Sequence, residues 1–235
     1  MRPRKPATPI SRPHFAVGLF RFLAELRENN NRPWFLANRH RYEADLLAPM
    51  LGFIADFAPR LHAISKRFVA DARPVGGSMF RIYRDVRFSK DKSPYKTMAA
   101  AHFRHQAKGD VHAPGFYLHL EPGQVFMGAG IWHPDSTTAN KIREAIAARG
   151  DSWKRVRRAL GKDLELAGES LKRPPQGHDP EHPLIEDLKR KDFVVVARFS
   201  ERDACRRGFI DDFSRTCGAA APLVEFLTRA VGLPW

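Results

Sequence analysis

A chain of 235 residues with 43% hydrophobic side chains belongs among globular proteins and can bury a sizeable core. No apolar run approaches the roughly 20 residues that span a bilayer, and the start, MRPRKPATPISRPH, lacks the apolar centre of a secretory signal, so the expected location is cytoplasmic, with no membrane partner. The net charge is +14, of which Arg2, Arg4, Lys5 and Arg12 carry four, leaving +10 for the rest; such a balance points to anionic partners without choosing among nucleic acid, phosphorylated small molecules and acidic surfaces.

Residues 1–13 place Pro3, Pro6, Pro9 and Pro13 among positive charges and read as a disordered basic arm. From Phe15, the spacing of Phe15, Leu19, Phe22, Leu23 and Leu26 is the stripe of an amphipathic helix, ended by Asn29, Asn30 and Asn31. Pro33 suits the first turn of a second helix through Leu47. Met50, Phe53, Ile54, Phe57, Leu61 and Ile64 give a third stripe, which Pro59 is expected to kink or divide. At Met79 the period changes to two. Phe80, Ile82, Val86 and Phe88 face one way and Arg81, Tyr83, Asp85 and Arg87 the other, with Arg84 a misfit on the apolar side, which predicts a half-buried strand over 79–88.

Residues 96–103 are a candidate second strand. GFYLHLEPGQVFMGAGIW predicts a hairpin, because Phe116, Leu118 and Leu120 alternate before Pro122 and Gly123, which suit the centre of a type II turn. Asp135 or Ser136 can cap a helix carrying Ala139, Ile142 and Ile146, and a basic helix follows from Trp153. LKRPPQGHDPEHP, with four prolines, must be irregular, FVVVARF from Phe193 reads as a strand, and two helical segments close the chain. Cys205 and Cys217 fall in this last region, where a continuous helix would hold them too far apart to bridge; they are expected as reduced structural thiols. Strands flanked by helices without regular βαβ alternation predict an α+β fold, a mainly antiparallel sheet with one face covered by helices, in a single domain over 14–235. The other face can stay open.

The run RIYRDVRFSKDKSPYKT, with NNNRPWF, GFYLHLEPGQVFMGAGIWHPD and LKRPPQGHDPEHPLIEDLKRKDF, resembles the domain of unknown function 2461 family from about Phe15 nearly to the C-terminus. The resemblance implies a fold and carries no established activity. The family pattern has an aromatic residue where this chain has His178, so the resemblance assigns His178 no role.

Residues 81–96 set Arg81, Arg84, Arg87, Lys90, Lys92 and Lys96 against Asp85 and Asp91. Guanidinium forks grip phosphate bidentately and lysines add point charge. The loop from Ser89 to Tyr95, bent by Pro94, is expected to fold back over the open face of the sheet. The set predicts a pocket for an anionic small molecule, phosphorylated or nucleotide-like, contacted by Arg81, Arg87, Lys90, Lys92 and Lys96 and oriented by Tyr83, Asp85 and Tyr95. The bland reading, ion pairs to the helical layer and solvated charges that discourage strand pairing, fits any one of these residues better than it fits the dense set.

A second reading is nucleic-acid binding through the arm, this run and the basic helix with Lys154, Arg155, Arg157 and Arg158, with Trp34 or Tyr95 stacking on bases. A third is an enzyme acting on a phosphorylated ligand, with His119 or Asp85 handling the proton. The pairs His102/His105 and His178/His182 lack the context of a metal site and read as ordinary histidines. Gly128 and Gly130 lack the helix start of a phosphate loop and read as close packing, in space that a ligand on the sheet would also use. The sequence names no cofactor and no oligomeric state.

Overall fold

A computed structural model of the chain describes residues 12–107 and 113–235; apart from Arg12 and Pro13, the expected basic arm lies outside the described residues. Helix α1 (Val17–Glu28) buries Leu19, Phe22, Leu23 and Leu26, the stripe read from the sequence. The Asn31 side chain accepts from the Trp34 backbone N–H at 3.0 Å and so caps α2 (Arg32–Ala37). Asn38 interrupts the predicted second helix. A short α3 (Arg39–Arg41) then runs through a π-helical stretch (Tyr42–Leu47) into α4 (Ala48–Ile64), which continues through Pro59 undivided.

Strands β1 (Ala99–Arg104), β2 (Gly115–Glu121) and β3 (Gln124–Ile131) form a meander, followed by α5 (Ser136–Ala148), capped by Asp135, and α6 (Gly150–Ala159). After β4 (Glu165–Ala167), an irregular segment and α7 (Ile185–Leu188) lead to β5 (Phe193–Phe199). The chain then enters α8 (Glu201–Ala204) and α9 (Phe209–Ala230). All strand pairs are antiparallel, in the order β1-β2-β3-β5-β4. In the two-residue hairpin between β2 and β3, Gly123 has φ 81°, the left-handed value that a type II turn asks of its third residue.

The protein is α+β, with the helical layer on one face of the sheet. Phe103, Phe116, Leu118, Leu120, Val125, Met127, Phe193 and Val195 point into that layer and are fully or almost fully buried. There α9 lies along β3 and packs on α4. Phe15, Phe53, Phe57, Phe103, Phe209 and Phe213 interlock at ring separations of 4.7–6.2 Å, tilted or edge to face except for the stacked pair Phe53 and Phe57. Cys217 is fully buried in this layer and both cysteines are free thiols; burial pushes the Cys217 thiol up, which keeps it unreactive. Among the described residues no helix is long and apolar enough to cross a membrane.

Residues 79–88 depart from the strand prediction. Only Met79 bridges to Ala101, with Phe80 N–H donating to Ala100 at 2.9 Å. The chain then leaves the sheet and pairs with its own return leg: Arg84 N–H donates to Pro94 at 2.9 Å and Lys96 N–H to Ile82 at 2.7 Å. Ile82 is buried, but Phe88, at 96% exposure, is on no apolar face at all. The alternation breaks where Arg84 falls on the apolar side, and beyond it the loop carries its own pairing partner.

The two glycines of β3 differ in what they require. A Cβ on Gly130 would meet the Phe193 carbonyl oxygen at 2.1 Å, with φ at 124°, whereas one on Gly128 would meet nothing nearer than 3.6 Å. Gly130→Ala is therefore expected to destabilise the protein by more than about 1 kcal/mol, and Gly128→Ala to stay within roughly 0.5 kcal/mol of wild type. The midpoints of denaturant unfolding check both.

Candidate functional site

The register of the sheet sets out its open face in rows. One row runs Ala100, His119, Phe126, Arg198; the next His102, Tyr117, Gly128, Val196; the third Arg104, Gly115, Gly130, Val194. Over these rows lies a pocket of about 740 Å³. Phe80, Met98 and Trp132 add apolar wall, Gly115, Gly128 and Gly130 leave bare backbone in the floor, and Lys96, His102, Tyr117, His119, Gln124 and Arg198 supply polar groups. A mostly apolar cavity with a few convergent polar groups has the character of a small-molecule site.

His119, only 8% exposed, lies within hydrogen-bond reach of Tyr117 Oη through Nδ1, at 3.1 Å, and of Glu121 Oε2 through Nε2, at 3.1 Å. The Thr97 hydroxyl reaches the other Glu121 oxygen at 3.4 Å. An ionised carboxylate only accepts, so Nε2 carries the proton and donates to Glu121. Nδ1 is then the acceptor, and the Tyr117 hydroxyl donates to it. Burial holds the His119 pKa below the usual histidine value despite Glu121, and pushes the Tyr117 phenol up to about 12, with the Glu121 charge adding to it. Both groups are neutral at neutral pH. On the neighbouring strand Arg104 Nε donates to His102 Nδ1 at 3.0 Å, so the neutral His102 ring carries its proton on Nε2 beside Gly115.

The far wall is held by Asp192, whose side chain is 0% exposed. Its Oδ1 accepts the His133 backbone N–H at 2.8 Å and its Oδ2 the Glu169 N–H at 2.9 Å. This ties the end of β3, with Trp132, to the segment after β4, with Gly168. His133 sits at φ 47°, the left-handed region, with Nδ1 3.2 Å from the same Asp192 oxygen.

Of the residues expected to contact a ligand, Lys96 lines this pocket and the others do not. Arg81, Tyr83, Arg87, Lys90 and Lys92 are exposed on the 81–96 loop. Arg87 is gripped bidentately by Asp85, at 2.7 and 2.9 Å, which holds the Asp85 carboxyl below the usual range. Arg84 pairs with Asp91, and Lys92 Nζ donates to the Val86 carbonyl at 3.0 Å. Tyr95 is buried and stacks on Phe35 at 4.0 Å. Asp85 and His119, read as alternative proton carriers, are not brought together. Much of the run's charge is thus met within the run itself.

Lys96 Nζ donates to the Arg81 and Tyr83 carbonyls at 2.6 and 3.0 Å, and burial, then the charges of Arg81 and Arg84, lower its pKa. It also borders a second pocket of about 500 Å³, lined by Arg27, Asn30, Arg84, Asp91, Ser93 and Tyr95. The NNN motif explains how this lysine is positioned. Asn30 accepts the Tyr95 N–H at 3.0 Å and donates to the Tyr95 carbonyl at 2.9 Å, acting as a side-chain substitute for a paired strand.

Stacking on nucleic acid finds little support in this arrangement, since Tyr95 is buried and Trp34 packs on Phe22 at 5.8 Å. In α6 the fully buried Trp153 anchors the helix, and Arg157 pairs with Asp187. Among the described residues no three His, Cys, Asp or Glu side chains cluster as metal ligands would. Sequence reasoning missed Arg198, which rises from the pocket floor with no carboxylate partner among the described residues. Its signal was the alternation Val194, Val196, Arg198 within FVVVARF, hidden by the apolar residues of the other face.

Fold and site together define an α+β protein with a largely apolar pocket on the open face of an antiparallel sheet. The chain belongs to the conserved hypothetical protein family DUF2461, whose model matches residues 18–226. A comparison with curated proteins finds no match.

Burial, then the Arg104 charge, depress the His102 pKa from 6.5 to about 4. As pH falls the unfolded chain takes up this proton first. Stability is therefore full above about pH 6.5 and declines toward about pH 4. His102→Gln is expected to flatten that arm of the stability profile, measured by denaturant unfolding across the range, and proton NMR of the wild type is expected to show His102 titrating near the lower value.

Proposed function

We propose that the pocket on the open face binds a small anionic molecule with a flat apolar part, phosphorylated or nucleotide-like. The observation that carries this reading is the combination of a bare glycine floor between aromatic walls with a guanidinium, Arg198, that has no carboxylate partner among the described residues, at one end. Arg198 and Val194 are four residues apart on β5, about 13 Å at ~3.3 Å per residue, a span that suits a ring over Gly128 and Gly130 and a phosphate toward Arg198. Lys96 adds charge from the opposite edge. Tyr83 and Tyr95 hold the stem that presents Lys96, and Arg81, Arg87, Lys90 and Lys92 contribute a longer-range field that favours arrival of an anion.

A thermal-shift screen against nucleotides and sugar phosphates is expected to give stabilisation. Arg198→Ala is expected to weaken the best ligand roughly 10-fold or more, because a hydrogen bond to a charged group is worth about 1.5–3 kcal/mol. Gly128→Ala, which fills the floor, is expected to weaken binding with little change in unfolding midpoint. Joint Arg87→Ala and Lys92→Ala replacement should slow association and reduce its salt dependence more than it changes dissociation. Absence of any stabilisation of the wild type by these compounds removes the reading.

A further inference from the structure

Three side chains at alternate positions of β2, namely Tyr117, His119 and Glu121, form a continuous relay on the pocket face, with 3.1 Å at each link. A hydroxyl within reach of an imidazole, itself oriented by a carboxylate, is the general arrangement of an activated nucleophile. Thr97 fixes the far end of the relay by reaching Glu121 at 3.4 Å. Tyr117 lines the pocket, and its hydroxyl gives its proton to His119 Nδ1, which leaves the phenolic oxygen's lone pairs available to a bound molecule. His119 stacks on Phe126 at 4.5 Å, which holds the ring plane fixed for proton transfer. A tyrosine placed only for packing does not need a base and an orienting acid in line behind it.

We propose that Tyr117 is the nucleophile of a phosphoryl-transfer reaction, with His119 as its base and Glu121 as the positioning residue, and that the substrates are phosphate esters of flat apolar alcohols. This rests on the pocket reading above and gives it a chemistry. In the first half, Tyr117 Oη bonds to phosphorus as its proton passes to His119 Nδ1, and the phosphorus–alcohol bond breaks. The leaving oxygen takes that proton from His119 and departs as the free alcohol. In the second half, water attacks phosphorus and gives a proton to His119 Nδ1, the Tyr117–phosphorus bond breaks, and the phenolate recovers the proton from His119. The products are the alcohol and inorganic phosphate. Glu121 stabilises the imidazolium in each half, and Arg198 and Lys96 draw the charged group into the pocket.

The test uses the full chain with para-nitrophenyl phosphate as substrate and phenyl phosphonate, which cannot turn over, as binding probe. Saturable release of nitrophenol is expected, together with acid-quenched protein that carries one phosphoryl group on Tyr117 by peptide mass spectrometry. Tyr117→Phe is expected to abolish both while leaving the thermal shift with phenyl phosphonate intact. His119→Gln is expected to lower kcat by on the order of 10²–10⁴-fold with KM little changed. Glu121→Gln should lower kcat less, which a purely structural role would not separate from KM. Turnover that persists in Tyr117→Phe overturns the assignment, as does a phosphoryl group found on another residue. A phenyl phosphonate shift with no turnover in the wild type overturns the chemistry and leaves the binding reading standing. Loss of the shift as well overturns both.

Discussion

The register that pairs β2, β3 and β5 is the constraint on which the rest depends. Successive side chains of a strand point to opposite faces, so a slip of one residue would exchange the two faces entirely. In the observed pairing Phe116, Leu118 and Leu120 go into the helical layer, while Tyr117, His119 and Glu121 go to the open face, where the first two line the pocket. The tip of the hairpin secures this choice from two sides. Gly123 adopts the left-handed conformation that a two-residue turn needs, and its N–H donates to Glu201 of α8 at 2.8 Å. The aromatic layer beneath accepts one set of side chains only, because Phe57, Phe103 and Phe213 leave no room for a histidine or a carboxylate among them.

The helices and the hairpin were legible in the sequence because each announces itself locally. The stripe from Phe15 to Leu26, the Pro122–Gly123 turn, the Asp135 cap and the apolar run from Phe193 each contain the physics that forms them. Pro59 does not divide its helix, for a related reason. A proline removes one hydrogen bond, but in α4 the neighbours Phe57 and Leu61 are both fully buried, and that packing outweighs the local defect. Residues 79–88 misled in the opposite direction, since a period of two indicates an extended chain without naming its partner.

Two members of the candidate site, His119 and Lys96, were legible in the sequence, but the charge of the 81–96 run did not give its place. A dense basic run reads from sequence as available cation, yet Asp85, Asp91 and the loop's own carbonyls take up Arg87, Arg84, Lys92 and Lys96. Local pairing of this kind does not show in the sequence, because Arg84 and Asp91 meet only after the chain turns back between them, where Ser89 N–H donates to Val86. Arg198 is the converse case. It looks unremarked at the end of an apolar strand and becomes prominent once β5 is seen beside β3, where it stands in register with Phe126 and His119. His119 could be read in advance because it alternates with the apolar residues of a hairpin, and the relay on either side of it follows from the same alternation.

Asp192 narrows what evolution can do at its position. Both of its oxygens receive backbone N–H groups, from His133 and from Glu169, two segments distant in the chain. An asparagine has the same shape but turns an NH₂ toward one of those donors whichever way the amide is flipped. A glutamate needs another methylene where a mere Cβ on Gly168 would already come within 2.3 Å of the aspartate. Serine or alanine leaves at least one of these N–H groups without its acceptor. The vocabulary of the position thus shrinks to a single amino acid, and Gly168 is bound into the same clause, so the pair can change together or not at all.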